Sequence, residues 1–295
     1  MRRAALLTLA ATFVLLLGAN PAHAAFPGRN GRIAWSSPST GDFEIDRIRP
    51  DGTNRVNLSN LSGTDTGPAY SSDGRTIVFS HYDGVDEDLY TMNTDGSGQT
   101  PVTTNSVSER SPTFSPNGAR IAFSRYDGSD WELYSIKPDG TGLRPITDNG
   151  VDDHDPSWAP VGGRIAYFTD RDGDWNIYTI KPDGTDRQQV TTNAATDWQP
   201  DWSPDGTRIV FDSDRGVSYD IFTIGADGTD TDRITNDSYT QYTPAFSPNG
   251  ARIAYVGSEP GNFDLYTIRL DGTDKQQLTF DDFPYNHGSP TWQPL

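Results

Sequence analysis

The chain has 295 residues, with 23 basic against 41 acidic side chains, a formal charge of −18, and no cysteine. The lack of cysteine excludes disulfides, thiol catalysis and cysteine-ligated metals. The acidic surface disfavours nucleic acid and anionic lipid as partners.

Residues 1–24 read as a secretory signal peptide. Arg2 and Arg3 form a positive start, Ala4 to Leu17 an apolar run, and Ala22-His23-Ala24 a small-x-small cleavage site. The run is shorter than the roughly 20 apolar residues that span a bilayer. Cleavage between Ala24 and Ala25 removes two arginines and leaves 21 basic against 41 acidic residues, a charge of −20. The mature chain, residues 25–295, is expected to be exported, either periplasmic or secreted, with no transmembrane segment.

From there one unit recurs. Asp51-Gly52, Asp95-Gly96, Asp139-Gly140, Asp183-Gly184, Asp227-Gly228 and Asp271-Gly272 are each 44 residues apart. Ile33, Ile77, Ile121, Ile165, Ile209 and Ile253 keep the same step. A repeat of this length, rich in turn residues and β-formers, predicts one propeller blade per copy. In the copy Ser111 to Thr147, Pro112 to Ser115 reads as a short strand closed by Ser115-Pro116-Asn117-Gly118. Arg120 to Ser124 reads as the second strand and Trp131 to Ile136 as the third. Pro138-Asp139-Gly140 then turns the chain into a last strand ending at Ile146-Thr147.

Apolar residues occupy both faces of the second and third strands. Leu133 opposes Tyr134 and Ile136, and Ala122 opposes Ile121 and Phe123. A sheet apolar on both faces must be covered on both, as between neighbouring blades. The first copy lacks the Pro-x-aromatic strand at its start, and the chain ends with a spare one at about residues 289–294. The expected fold is therefore all-β: a six-bladed propeller of four-stranded antiparallel blades, closed by the C-terminal strand joining the first blade. Asp46 stands where later copies have Tyr90, Tyr134, Tyr178, Phe222 and Tyr266, and this break is expected to mark the seam.

The unit Pro-x-[Phe/Trp]-Ser-Pro-[Asp/Asn]-Gly, then Ile-Ala-[Phe/Tyr], [Asp/Glu]-[Leu/Ile]-Tyr and Asp-Gly-Thr resembles the TolB-type propeller repeat. Its best copies are Pro112–Phe123 with Glu132–Tyr134, and Pro200–Phe211 with Asp220–Phe222. The resemblance covers nearly all of the mature chain. It implies a six-bladed propeller serving as a periplasmic protein-binding module. Proteins of that family carry an α/β domain ahead of the propeller, whereas here the repeats follow the signal peptide directly, so only the propeller and its use in binding carry over.

Propeller ligands meet the axial mouth, formed by loops leading into the innermost strands. Three residues before each proline stand Asp65, Glu109, Asp153, Asp197, Gln241 and His287. One residue nearer stand Thr66, Arg110, His154, Trp198, Tyr242 and Gly288. Strand alternation aims one row at the channel and the other at neighbouring blades. The first row would form an acidic ring attracting a basic peptide or a cation, and the second an aromatic shelf. The bland alternative, turn-capping or solvated carboxylates, stands level with this reading.

Asp170, Asp172 and Asp174 resemble the start of a calcium loop, but loop position 12 is Lys181, so a plain Asp-Gly hairpin is the stronger reading. His154 and His287, with Asp153 and Asp155, could assemble a divalent-metal site at the mouth. No Gly-x-Ser-x-Gly elbow occurs, which removes the serine-peptidase reading. Two functions stand. The first is a monomeric, non-catalytic, cofactor-free scaffold for an envelope or extracellular protein or peptide. The alternative is a saccharide-binding or saccharide-cleaving propeller, with or without a divalent metal such as calcium.

Overall fold

The computed structural model describes residues 28–38, 42–259, 262–280 and 288–295. The signal-peptide segment and His287 lie outside the described residues. Six four-stranded antiparallel sheets are present. In five blades the strands follow in chain order from the axis outward. Blade three, for example, comprises Glu109–Phe114, Ile121–Tyr126, Trp131–Ile136 and Arg144–Pro145. In blade one the innermost strand is Gly288–Pro294, paired antiparallel with Asn30–Pro38 through Ile33↔Trp292 and Ala34↔Thr291. The ring closes as the spare C-terminal strand predicts. Asp46 lies in this same blade, opposite Trp35 on the adjacent strand, and accepts from Arg55 Nε at 2.7 Å.

The turns follow from their sequence. In Ser115-Pro116-Asn117-Gly118, Gly118 N–H donates to the Ser115 carbonyl at 2.8 Å. Asn117 Oδ1 accepts from Ala119 N–H at 3.0 Å, an Asx turn that competes well with any helix. The Asp-Gly marker has a second cause. Gly140 has φ +77°, and a Cβ there would stand 2.6 Å from the Val102 carbonyl of blade two. The turn therefore lies against the previous blade's outer strand, where only glycine fits.

Both faces of each sheet are covered, as the apolar pattern requires. Ile121, Phe123 and Ile136 pack against Val78, Leu89 and Val102 of blade two. Ala122 and Leu133 pack against Trp158, Ile165 and Tyr167 of blade four. Each fully buried side chain of this size contributes about 1.5–3 kcal/mol, and none of it is available to a blade alone.

Two strands differ from expectation. The outer strand of blade three ends at Pro145, because Ile146 and Thr147 N–H both turn back onto the Leu133 carbonyl, at 2.7 and 3.2 Å. The inner strand begins at Glu109, three residues before Pro112, and carries a bulge between Arg110 and Thr113.

Candidate functional site

That bulge organises the axial end of the molecule. The residue before the proline is left-handed in every inner strand: Gly67 (φ 59°), Ser111 (54°), Asp155 (46°), Gln199 (52°), Thr243 (52°) and Ser289 (46°). A left-handed residue adds an unpaired position and re-aims its neighbours. These six residues and the prolines after them line the axial channel, a cavity of about 150 Å³. Among the described residues, neither sequence row lines it. Within the wall, Asp201 accepts from Ser157 Oγ at 3.0 Å and Phe246 N–H at 2.9 Å, and burial pushes its carboxyl up to about 6.

The described members of the first row point into the seams between blades. Asp65, Glu109, Asp153, Asp197 and Gln241 are all fully buried, at 0 % exposure. They offer no open acidic ring to a ligand. Asp65 Oδ1 bonds His81 Nδ1 at 2.7 Å. Glu109 pairs with Arg125 and accepts from Asn105 Nδ2 at 3.1 Å. Asp197 accepts from Arg215 Nη2 at 2.7 and 2.9 Å. Gln241 donates to Asp237 Oδ1 at 2.6 Å. A carboxylate leaves water only with such partners.

The second row lies at the axial face, half-buried except for the buried His154, where it meets the residues that open the third strands. Arg110 lies over the Trp131 ring at 3.8 Å. The His154 ring is 5.6 Å from Trp131 and 5.7 Å from Trp175. Phe168 reaches Trp198 at 6.3 Å, and Trp198 stacks on Tyr219 at 5.4 Å. Tyr219 then meets Tyr242 at 5.3 Å, and Tyr242 stacks on Phe263 at 6.2 Å. The result is an unbroken aromatic arc over blades three to six, with spacings suited to stacked and tilted rings. Exposed Asp127, Asp172, Asp174 and Asp214 stand in the hairpins beside it.

In the sequence Trp131 reads only as the start of a strand, and Phe168, Trp175, Tyr219 and Phe263 do not stand out as site residues. The available signal was the repeat position itself, read across copies as Phe43, Glu87, Trp131, Trp175, Tyr219 and Phe263.

His154 is 7 % exposed, and burial among these rings pulls its pKa down. Its Nδ1 stands 3.3 Å from Arg110 Nη2, an arrangement for a neutral ring accepting a hydrogen bond. Asp170, Asp172 and Asp174 lie in a hairpin, with Gly173 N–H on the Asp170 carbonyl at 2.9 Å; Asp172 accepts from the Tyr178 hydroxyl. No group of three or more His, Asp or Glu that could hold a metal occurs among the described residues.

None of the curated proteins matches the chain in sequence. Among solved structures, TolB from Acinetobacter baumannii superposes with a TM-score of 0.78 at 20% identity, covering 90% of this chain and 67% of that one. A putative TolB from Agrobacterium tumefaciens gives 0.69 at 22% identity, covering 85% and 89%. Hydrazine synthase of Kuenenia stuttgartiensis gives 0.73 at 17% identity, covering 89% and 46%. The likeness therefore reaches proteins of different function, as expected of a shared scaffold. The pattern of the TolB beta propeller domain matches residues 12–173 and 155–295. The chain belongs to the TolB beta propeller domain family.

Proposed function

We propose that this protein is an exported, monomeric binding scaffold that holds a protein or peptide on the axial face carrying the aromatic arc. The observation that carries this reading is the arc itself. Blade two has Glu87 and Thr66 where blade four has Trp175 and His154, so the fold does not need rings at these positions. Half-exposed Trp and Tyr side chains offer large contact area at low entropic cost, as in binding hot spots. The acidic hairpins beside them favour a partner segment bearing lysine or arginine, which also attracts ring faces. The outer edge of each blade is a strand of only two residues, too short to template self-pairing, in keeping with a monomer.

Affinity capture from envelope extract and culture supernatant tests the reading. The baits are residues 25–295 and the same chain with Trp131→Ala, Trp198→Ala and Tyr242→Ala. A protein retained by the first and lost from the second supports it, provided both melt alike; equal retention overturns it. The same ring faces also stack on sugars, so a saccharide ligand is the second reading. Retention of glycans in place of protein, lost in the same variant, would favour it. Amino-terminal sequencing of the exported protein tests cleavage after Ala24.

A further inference from the structure

On the face of the Asp-Gly turns the blade seams repeat one arrangement, and the seam between blades one and two departs from it. An arginine at the start of the second strand bonds a hydroxyl on the third. Arg120 Nε donates to Ser135 Oγ at 3.0 Å, and its Nη2 to the Ser135 and Gly142 carbonyls at 2.8 and 2.6 Å. Arg164, Arg208 and Arg252 likewise bond the hydroxyls of Thr179, Thr223 and Thr267. Two residues after each arginine, a small residue packs against an aromatic ring of the next blade: Trp158, Trp202, Phe246 or Trp292.

In blade one the hydroxyl is replaced by a second cation. Arg47 stands at the repeat position of Ser135 and Thr179, so Arg32 lacks the acceptor that Arg120 and Arg164 have. Among the described residues Arg32 Nη1 is buried without a partner. Arg47 Nη1 donates to the Thr94 carbonyl of blade two, while its Nε is likewise buried and unpartnered. Blade two covers this corner with Tyr70 in place of Trp or Phe, packed with Ala34 and Ile45. Tyr70 is 1 % exposed, and its hydroxyl is a third buried group with no partner. Burial pushes that hydroxyl's pKa up, and the charges of Arg47 and Arg32 work against the rise, so both guanidiniums act on this phenol. Asp95 faces Arg47 from the blade-two turn, but it is exposed, and its Oδ1 is held by Ser97 N–H and Oγ at 3.0 and 2.6 Å. Two like charges beside a buried phenol, with donors unfilled, form a costly arrangement that an anion relieves.

We infer that this corner is an oxyanion site, where Arg32, the Arg47 Nε–H and the Tyr70 hydroxyl donate to a phosphate or carboxylate group. Guanidinium N–H groups match the paired oxygens of either group, and the phenol adds a neutral donor. Arg32 and Arg47 are only partly buried, which leaves a way in from the face of the Asp-Gly turns. The site lies at the opposite end of the molecule from the aromatic arc and stands independently of any partner held there.

The test is calorimetric titration of the mature protein, prepared free of oxyanions, with phosphate, acetate and chloride at constant ionic strength, alongside melting curves. The expected result is one phosphate or acetate per chain and a melting temperature that rises with its concentration. Whichever of the two binds more tightly tells a phosphate group from a carboxylate. Arg47→Thr restores beside Arg32 the hydroxyl that Arg164 and Arg208 have. It should weaken binding about tenfold or more and melt no lower than the ion-free parent. Tyr70→Phe, which places the residue found at this position in blades three and six, should also weaken binding. If Arg47→Thr does not fold, Tyr70→Phe decides. No oxyanion binding by the parent, binding unchanged in both variants, or a response to chloride alone overturns the proposal.

Discussion

The two axial faces of this propeller are built from the same six repeats yet behave oppositely. On the face of the Asp-Gly turns the copies are near-identical in geometry. Asp51, Asp139, Asp183 and Asp271 Oδ1 each accept from the threonine N–H two residues on, at 2.9–3.0 Å. These hydrogen bonds hold their carboxyls below the usual range. On the opposite face the same repeat position is Phe43, Glu87, Trp131, Trp175, Tyr219 or Phe263. Repetition persists where each turn must fit against the previous blade. It lapses where side chains meet solvent and no neighbour dictates their shape, and there the arc is assembled.

This contrast predicts a ranking of effects. The largest belongs to the seams beneath the arc. Arg215→Ala strips Asp197 of its cation in full burial, and should cost about 3–5 kcal/mol in urea unfolding. A cost near that of an exposed residue would show that water reaches the seam. Next is the repeated face: Gly184→Ala combines φ +81° with a Cβ 2.5 Å from the Ile146 carbonyl. The backbone conformation alone costs about 1–2 kcal/mol, and the clash adds to it.

Trp198→Ala belongs to the variable face. It should weaken partner binding by about 2 kcal/mol or more, as hot-spot truncations do, measured as the change in Kd once a partner is captured. A larger loss in unfolding free energy than in binding would return Trp198 to the core.

The last effect is one of pH. Glu44, 6 % exposed, is pushed by burial from its ordinary value of 4.5 up to about 7. Between those values the folded chain holds a proton that the unfolded chain has lost. Stability from this group is therefore greatest in acid and declines as pH rises from about 4.5 to 7. Glu44→Gln should flatten that decline, seen as a smaller gap between melting temperatures at pH 5 and pH 8. An unchanged gap would place the titration elsewhere.

Blade number, closure and the two-faced packing of Leu133 and Ala122 were legible because periodicity and turn chemistry are local. The arc was half legible: Trp198 and Tyr242 stood out beside their prolines, whereas Trp175 and Tyr219 looked like strand residues. The burial of the first row was not legible. Its partners Arg125 and Arg215 lie 16 and 18 residues further along the chain, outside the repeat's signature.

By itself the sequence determined six blades of four strands and a ring sealed by a C-terminal strand at about residues 289–294, which the structure places at Gly288–Pro294. It did so because glycine, proline and alternating apolar residues act on their nearest neighbours. Only the tertiary structure decided which way the strands' first residues point. Gly67, Ser111, Asp155, Gln199, Thr243 and Ser289 share no chemistry that would announce a left-handed residue, and a following proline favours the extended form. Packing around the axis imposes that bulge. It sends the carboxylates into the seams, turns the prolines to the channel, and leaves the rings facing water.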